Sequence, residues 1–181
     1  MKIRLAADLQ TDSIVDGLGI RTVIWTQGCS HNCSGCHNPM THDFNGGDLV
    51  EIDDVIFELE QLSGQDGITF SGGDPMFQAK QCAILAKKVH ELGMNVWAYT
   101  GFTLEQLLEQ GNKDILDFLN EIDVLIDGKF EFQKRSLDLE FRGSSNQRII
   151  DVFKSLEKKE VVLYNLNNGC EPKKKKEILY I

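Results

Sequence analysis

The sequence predicts an α/β fold, an incomplete (β/α) barrel with mostly parallel strands. Three observations carry that reading. Short β-branched runs alternate with segments whose apolar residues recur at helical spacing, the order that joins parallel strands through helical crossovers. Each predicted strand runs into a polar or glycine-rich loop, so the unusual chemistry gathers at one rim, as it does at the C-terminal ends of parallel strands. The 181 residues are too few for a complete eight-unit barrel of about 250.

The first strand is read at 20–26 (IRTVIWT), β-branched and apolar enough to be buried on both faces. Ile52, Val55, Ile56, Leu59 and Leu62 then recur at helical spacing, with Gly64 placed to cap the end. A second strand at 67–71 (GITFS) leads into a helix over 77–92 closed by Gly93, and 95–99 (NVWAY) is the third strand. Thr103 with Gln106 three residues on has the form of a capping box for a short helix carrying Leu104, Leu107 and Leu108. A helix over 114–121 precedes a fourth strand at 123–126 (DVLI), and 161–164 (VVLY) is read as one more strand. The strand ends feed into the cysteine-rich loop, Ser71-Gly72-Gly73-Asp74-Pro75, Thr100-Gly101 and Asp127-Gly128-Lys129.

A hydrophobic content of 41% supports one globular body, with residues 1–150 as the core domain and 151–181 as an extension or tail. Against 28 acidic residues stand 19 basic ones, a net charge of -9. That balance argues against nucleic acid as a partner, and the basic run at 173–176 reads as a solvated tail. The opening MKIRLAAD reaches charge too soon for a signal peptide, and no apolar run approaches the roughly 18 residues of a membrane span. A cytoplasmic protein with reduced thiols is expected.

In that setting five cysteines are not a disulfide framework. Cys82 falls on a helical stripe with Leu85, Ala86 and Val89 and reads as a buried apolar residue, and Cys170 reads as incidental. Cys29, Cys33 and Cys36 lie in one loop, close enough to wrap a single inorganic centre. Four-iron clusters normally take four thiolates, so three would leave one iron open to a small molecule. The same spacing admits a zinc site with His31, His37 or His42 as fourth ligand, although His31 and His42 read as solvated loop residues. Gly72 and Gly73 allow the backbone to approach a ligand closely, and Asp74 offers an acceptor for a cationic amine.

Together these residues resemble the radical S-adenosylmethionine enzymes, which carry Cys-x3-Cys-x2-Cys after the first strand and Gly-Gly-Glu/Asp-Pro after the second. The stretches 16–23 (DGLGIRTV), 26–29 (TQGC) and 36–38 (CHN) are similar to the branch that activates glycyl-radical enzymes. Within it, 127–130 (DGKF) and 142–148 (RGSSNQR) resemble the activating proteins of anaerobic ribonucleoside-triphosphate reductase.

The resemblance implies that Cys29, Cys33 and Cys36 hold three irons of a [4Fe-4S] cluster whose fourth iron is chelated by the amino and carboxylate groups of S-adenosyl-L-methionine. Gly35, Cys36 and His37 would line that cofactor, and Gly72, Gly73 and Asp74 would receive its amino group. Asp127 and Lys129 resemble an Asp-x-Lys pair that contacts it. Many radical S-adenosylmethionine enzymes place an aromatic residue just before the third cysteine, where this chain has Gly35. The activating-protein branch has Gly there too, usually with Tyr after the cysteine, where His37 stands, so adenine's stacking partner is left unassigned.

The implied reaction is reductive. An electron from a low-potential donor such as flavodoxin or ferredoxin cleaves the C5′–S bond, and the resulting radical takes a hydrogen from a glycine Cα of the partner reductase. A protein substrate calls for a cluster near an open rim. Alternatives at this stage are a formate-lyase type partner, a small heterocycle as substrate, or a zinc-binding module. The 142–148 stretch argues against the first two.

Overall fold

A computed structural model describes residues 1–169. Cys170 and the basic run at 173–176 lie outside them. The architecture is mixed α/β around one eight-stranded sheet. Its strands are β1 (Lys2–Leu5), β2 (Gln10–Ser13), β3 (Arg21–Thr26), β4 (Asp48–Glu51), β5 (Gly67–Gly72), β6 (Asn95–Tyr99), β7 (Val124–Asp127) and β8 (Arg148–Asp151). The order is β4-β1-β3-β5-β6-β7-β8, with β2 added to β3.

The centre is parallel, as the alternation predicts: β3 pairs β5, β5 pairs β6 and β6 pairs β7. These strands are buried on both faces, which is why they read as nearly unbroken apolar runs. Antiparallel strands flank the centre, and they were absent from the sequence reading. β1, β2, β4 and β8 have four residues each and carry charged or polar residues, too short a pattern for the period of two to register.

Helices α1 (Ile52–Glu60), α2 (Ala79–Glu91), α3 (Leu104–Gln110), α4 (Lys113–Glu121) and α5 (Val152–Lys158) supply the principal core, with Val55, Leu59, Leu85, Leu107 and Phe118 buried against Ile24, Phe70 and Val96 of the sheet. α2 begins two residues later than expected, after a 3₁₀ turn at Pro75–Gln78, and Gly93 closes it at φ +81°. α1 is capped at Gln61, not at Gly64. α5 was not anticipated, and 161–164 forms no strand. Only Leu163 bridges, to Ile150. Cys82 is fully buried in α2 as its stripe predicts.

A smaller cluster of Trp97, Val124, Ile126 and Ile149 forms a separate group. Beside it Arg21, completely buried, donates Nε to Thr69, Nη1 to Asn95 and the Leu18 carbonyl, and Nη2 to the Ile68 carbonyl, with its guanidinium 5.1 Å from the Trp97 ring. This explains 16–23 as a structural motif: a Cβ on Gly17 would meet Trp97 at 2.8 Å and Arg21 at 2.9 Å. Among the described residues no helix is long and apolar enough to cross a membrane.

Candidate functional site

β3 and β5 are in register to their ends, Thr26 opposite Gly72, so the loops that follow leave the sheet side by side. Gly73 N–H donates to the Thr26 carbonyl at 2.7 Å and Asp74 N–H to that of Gly28 at 3.0 Å. A Cβ on Gly73 would stand 2.5 Å from the Gly28 carbonyl oxygen, so the two loops touch only because that residue is glycine. Gln27, buried, staples the far end of the cysteine loop through its Nε2, which donates to the carbonyls of Met40 and Asp43. Cys29 N–H donates to the His42 carbonyl and Cys36 N–H to that of Cys33, folding the loop back on itself.

The three cysteines are half-buried and line one cavity of about 670 Å³ with His31, His37, Gly72, Gly73, Tyr99, Thr100, Gly101, Gly128, Phe130 and Arg142. Its volume lies within the range of small-molecule sites. Burial pushes the Cys29 thiol up, opposed by a hydrogen bond from the His31 backbone, while Asp74 and the other two thiols add to the rise. Ser30, Asn32, Ser34, Gly35 and His37 are exposed, so the loop is open to solvent. Among the described residues no three His, Cys, Asp or Glu side chains converge on the single point that one metal ion needs.

Several expected site residues take other positions. The Asp74 carboxylate is 1% exposed and sits behind the cavity wall. Oδ1 accepts from Met76 N–H at 3.0 Å, and Oδ2 from His31 Nε2 at 2.6 Å, Thr100 Oγ1 at 2.9 Å and Gly101 N–H at 2.9 Å. These donors occupy the lone pairs that a ligand amine would use. His31 is accordingly not a solvated residue. Its side chain is 7% exposed, wedged edge-on against Phe102 and bonded to Asp74, and a Cβ on Gly101 would clash with its ring.

Gly35 lies outside the cavity lining, with Phe132 above it. Asp127 is also withdrawn. It accepts from Leu104 N–H at the start of α3 and from Arg148, which bridges on to Glu105. Lys129 is exposed and away from the cavity. Of the 142–148 stretch, Arg148 opens β8 and 142–147 form a self-bonded loop beside the cavity: Gln147 Oε1 accepts from the Gly143 and Ser144 amides while its Nε2 donates to the Gly128 carbonyl.

The sequence reading missed Ile14, Val15, Asp16, Tyr99 and Phe130 as cavity residues. Tyr99 and Phe130 were within reach, since each adjoins a strand-end loop already singled out. Ile14 and Val15 stand in a short loop with no helical or strand period to mark them.

The chain is similar to known proteins. Residues 15–150 match the family described as a 4Fe-4S single cluster domain. The anaerobic ribonucleoside-triphosphate reductase-activating protein of Vibrio cholerae is 35% identical over 144 residues, 75% of this chain and 90% of that one. Its Escherichia coli K12 counterpart is 35% identical over 143 residues, covering 74% and 90%. The chain belongs to the family of anaerobic ribonucleoside-triphosphate reductase-activating proteins. The phage T4 member is 33% identical over 141 residues, 75% of this chain and 86% of that one. Among solved structures, QueE from Escherichia coli aligns over 57% of this chain and 54% of that one, at 14% identity and a TM-score of 0.47. As a member of the activating-protein family, this chain carries the 4Fe-4S domain over residues 15–150, and every cavity residue named above except Ile14 falls inside that span.

Proposed function

We propose that this protein is the radical S-adenosylmethionine activase of an anaerobic ribonucleoside-triphosphate reductase, built on an incomplete barrel and working in the cytoplasm. The observation that carries the reading is one cavity lined by Cys29, Cys33 and Cys36, Gly72 and Gly73, and Arg142, Gly143 and Gln147 together. The donor set fits the cofactor. Three thiols on one loop suit three irons of a [4Fe-4S] cluster, and no fourth cysteine lines the cavity among the described residues.

When bound, the cluster and S-adenosylmethionine supply the one-electron cleavage that ends in a glycyl radical on the partner. The chain's own residues do the rest. Gly72 and Gly73 bring bare backbone to the wall where the methionine end would sit. Asp74 acts from behind that wall, holding His31 and the Thr100–Gly101 turn against it. Ile14 and Val15 line the cavity and are strongly exposed, leaving an apolar mouth through which a glycine-bearing segment of a protein can enter. A low-potential flavodoxin or ferredoxin is the natural electron donor for a cluster this near the surface.

Anaerobic purification followed by reduction tests the reading. An EPR signal of a [4Fe-4S]+ cluster that shifts with S-adenosylmethionine is expected, together with a glycyl radical on the reductase after incubation. A colourless, silent protein that contains zinc would sink it.

A further inference from the structure

Phe130 and His37 stand side by side on the cavity wall, their ring centroids 4.8 Å apart and inclined by 47°. Gly143, from another loop, makes room for both rings, and Gly35 leaves space for the neighbouring Phe132. A Cβ on Gly143 would reach 2.9 Å from Phe130 and 3.1 Å from His37, and one on Gly35 would stand 2.7 Å from Phe132 and 3.6 Å from Phe130. Gly35 also has φ +72°, so any other residue there would be strained as well as obstructed. The position before the third cysteine therefore carries no side chain, and rings from the segment after β7 fill the space around it.

We propose that Phe130, with His37 beside it, is the platform on which the adenine ring of S-adenosylmethionine stacks. The inference rests on the cofactor reading given above. A purine offers a broad π-face, and an aromatic ring is the side chain that matches it. His37 follows Cys36 directly, so the pair adjoins the thiols, where an adenosyl group must lie if its methionine end occupies the open iron.

The other cavity aromatics are engaged elsewhere. Trp25 donates Nε1 to Gln10, Tyr99 donates its hydroxyl to the Phe141 carbonyl, and Phe141 packs at 81° to Trp97. Phe132 covers Gly35, off the wall. Arg142, next to Gly143 on the same wall, keeps a buried Nε with no acceptor among the described residues. Adenine ring nitrogens are acceptors of the kind it lacks.

Binding to the reconstituted, reduced protein, followed by the shift of the cluster's EPR signal, tests the platform with S-adenosylmethionine and methionine as ligands. Methionine carries the amino and carboxylate groups without adenine. Phe130→Leu is expected to weaken S-adenosylmethionine about 10-fold, the loss of one base–aromatic stack, and to leave methionine binding unchanged. Phe130→Tyr restores the wild-type affinity. If Phe130→Leu fails to hold iron, Phe130→Met carries the same expectation.

Unaltered S-adenosylmethionine affinity in the leucine or methionine variant overturns the proposal. So does an equal loss for both ligands, which would mean that Phe130 only supports the cysteine loop. A wild-type signal that responds to neither ligand removes the S-adenosylmethionine reading itself and the platform with it.

Discussion

His31 joins the cysteine loop to the turn after β5 through one hydrogen bond, Nε2 donating to the Asp74 carboxylate in a site from which water is excluded. His31→Ala would leave a buried acceptor short of a donor, a cost of about 1–3 kcal/mol that thermal unfolding of the cluster-free protein should read. His31→Gln, which keeps a donor on the same reach, is expected to recover part of it. An unchanged midpoint in the alanine variant would show that the bond contributes nothing. Away from the cavity, at the start of α3, Arg148 holds the Glu105 carboxyl down, from an ordinary 4.5 to about 2. A depressed carboxyl contributes stability above its unfolded value and loses it as pH falls through the folded one, so this contribution fades between about pH 4.5 and 2. Glu105 is 58% exposed, which limits the effect to under about 1 kcal/mol. Urea unfolding across that range should show a shallower acid loss in Glu105→Gln than in the wild type. Neither pairing was legible in the sequence, because His31 and Asp74, or Arg148 and Glu105, lie 43 residues apart and no local period relates them.

The helices and central strands were legible for the opposite reason. Thr103 and Gln106 form the capping box their spacing announces, with Thr103 accepting from the Gln106 amide and Gln106 answering to the Thr103 amide. Thr103→Ala should cost about 1 kcal/mol, read as a lower urea midpoint at unchanged slope. β3 was equally plain as an apolar run, yet that run does not say what its one charged residue, Arg21, pairs with. In the fold it is fully buried, bonded to β5 and β6, and stacked on Trp97. Arg21→Met would strip donors from Thr69, Asn95 and two carbonyls, and a loss of about 3 kcal/mol or more in urea unfolding is expected. A loss below about 1 kcal/mol would mean that water replaces the guanidinium there.

Across the whole molecule the thiols divide by environment. Cys82 is sealed in the core beneath α2, where burial pushes its thiol far up, whereas Cys29, Cys33 and Cys36 border an open cavity. In cluster-free protein carrying Cys170→Ser, a thiol reagent should label the cavity cysteines in the native state and Cys82 only after unfolding. Rapid labelling of Cys82 in folded protein would contradict the core described for α2.

The sequence alone determined the cysteine loop, the glycine turn beside it and the parallel strands that deliver both to one rim. Each is written in contiguous residues, as spacing, propensity or a strand-then-loop order. Only the tertiary structure decided which of those residues face the cavity. Asp74 turns inward because four groups from three segments converge on its carboxylate, and Asp127 is drawn away by Arg148. Phe130 reaches the wall because Gly143 leaves room for it. A side chain's final direction is set by the partners that satisfy its polar atoms or fill the space beside it, and those partners come from distant parts of the chain.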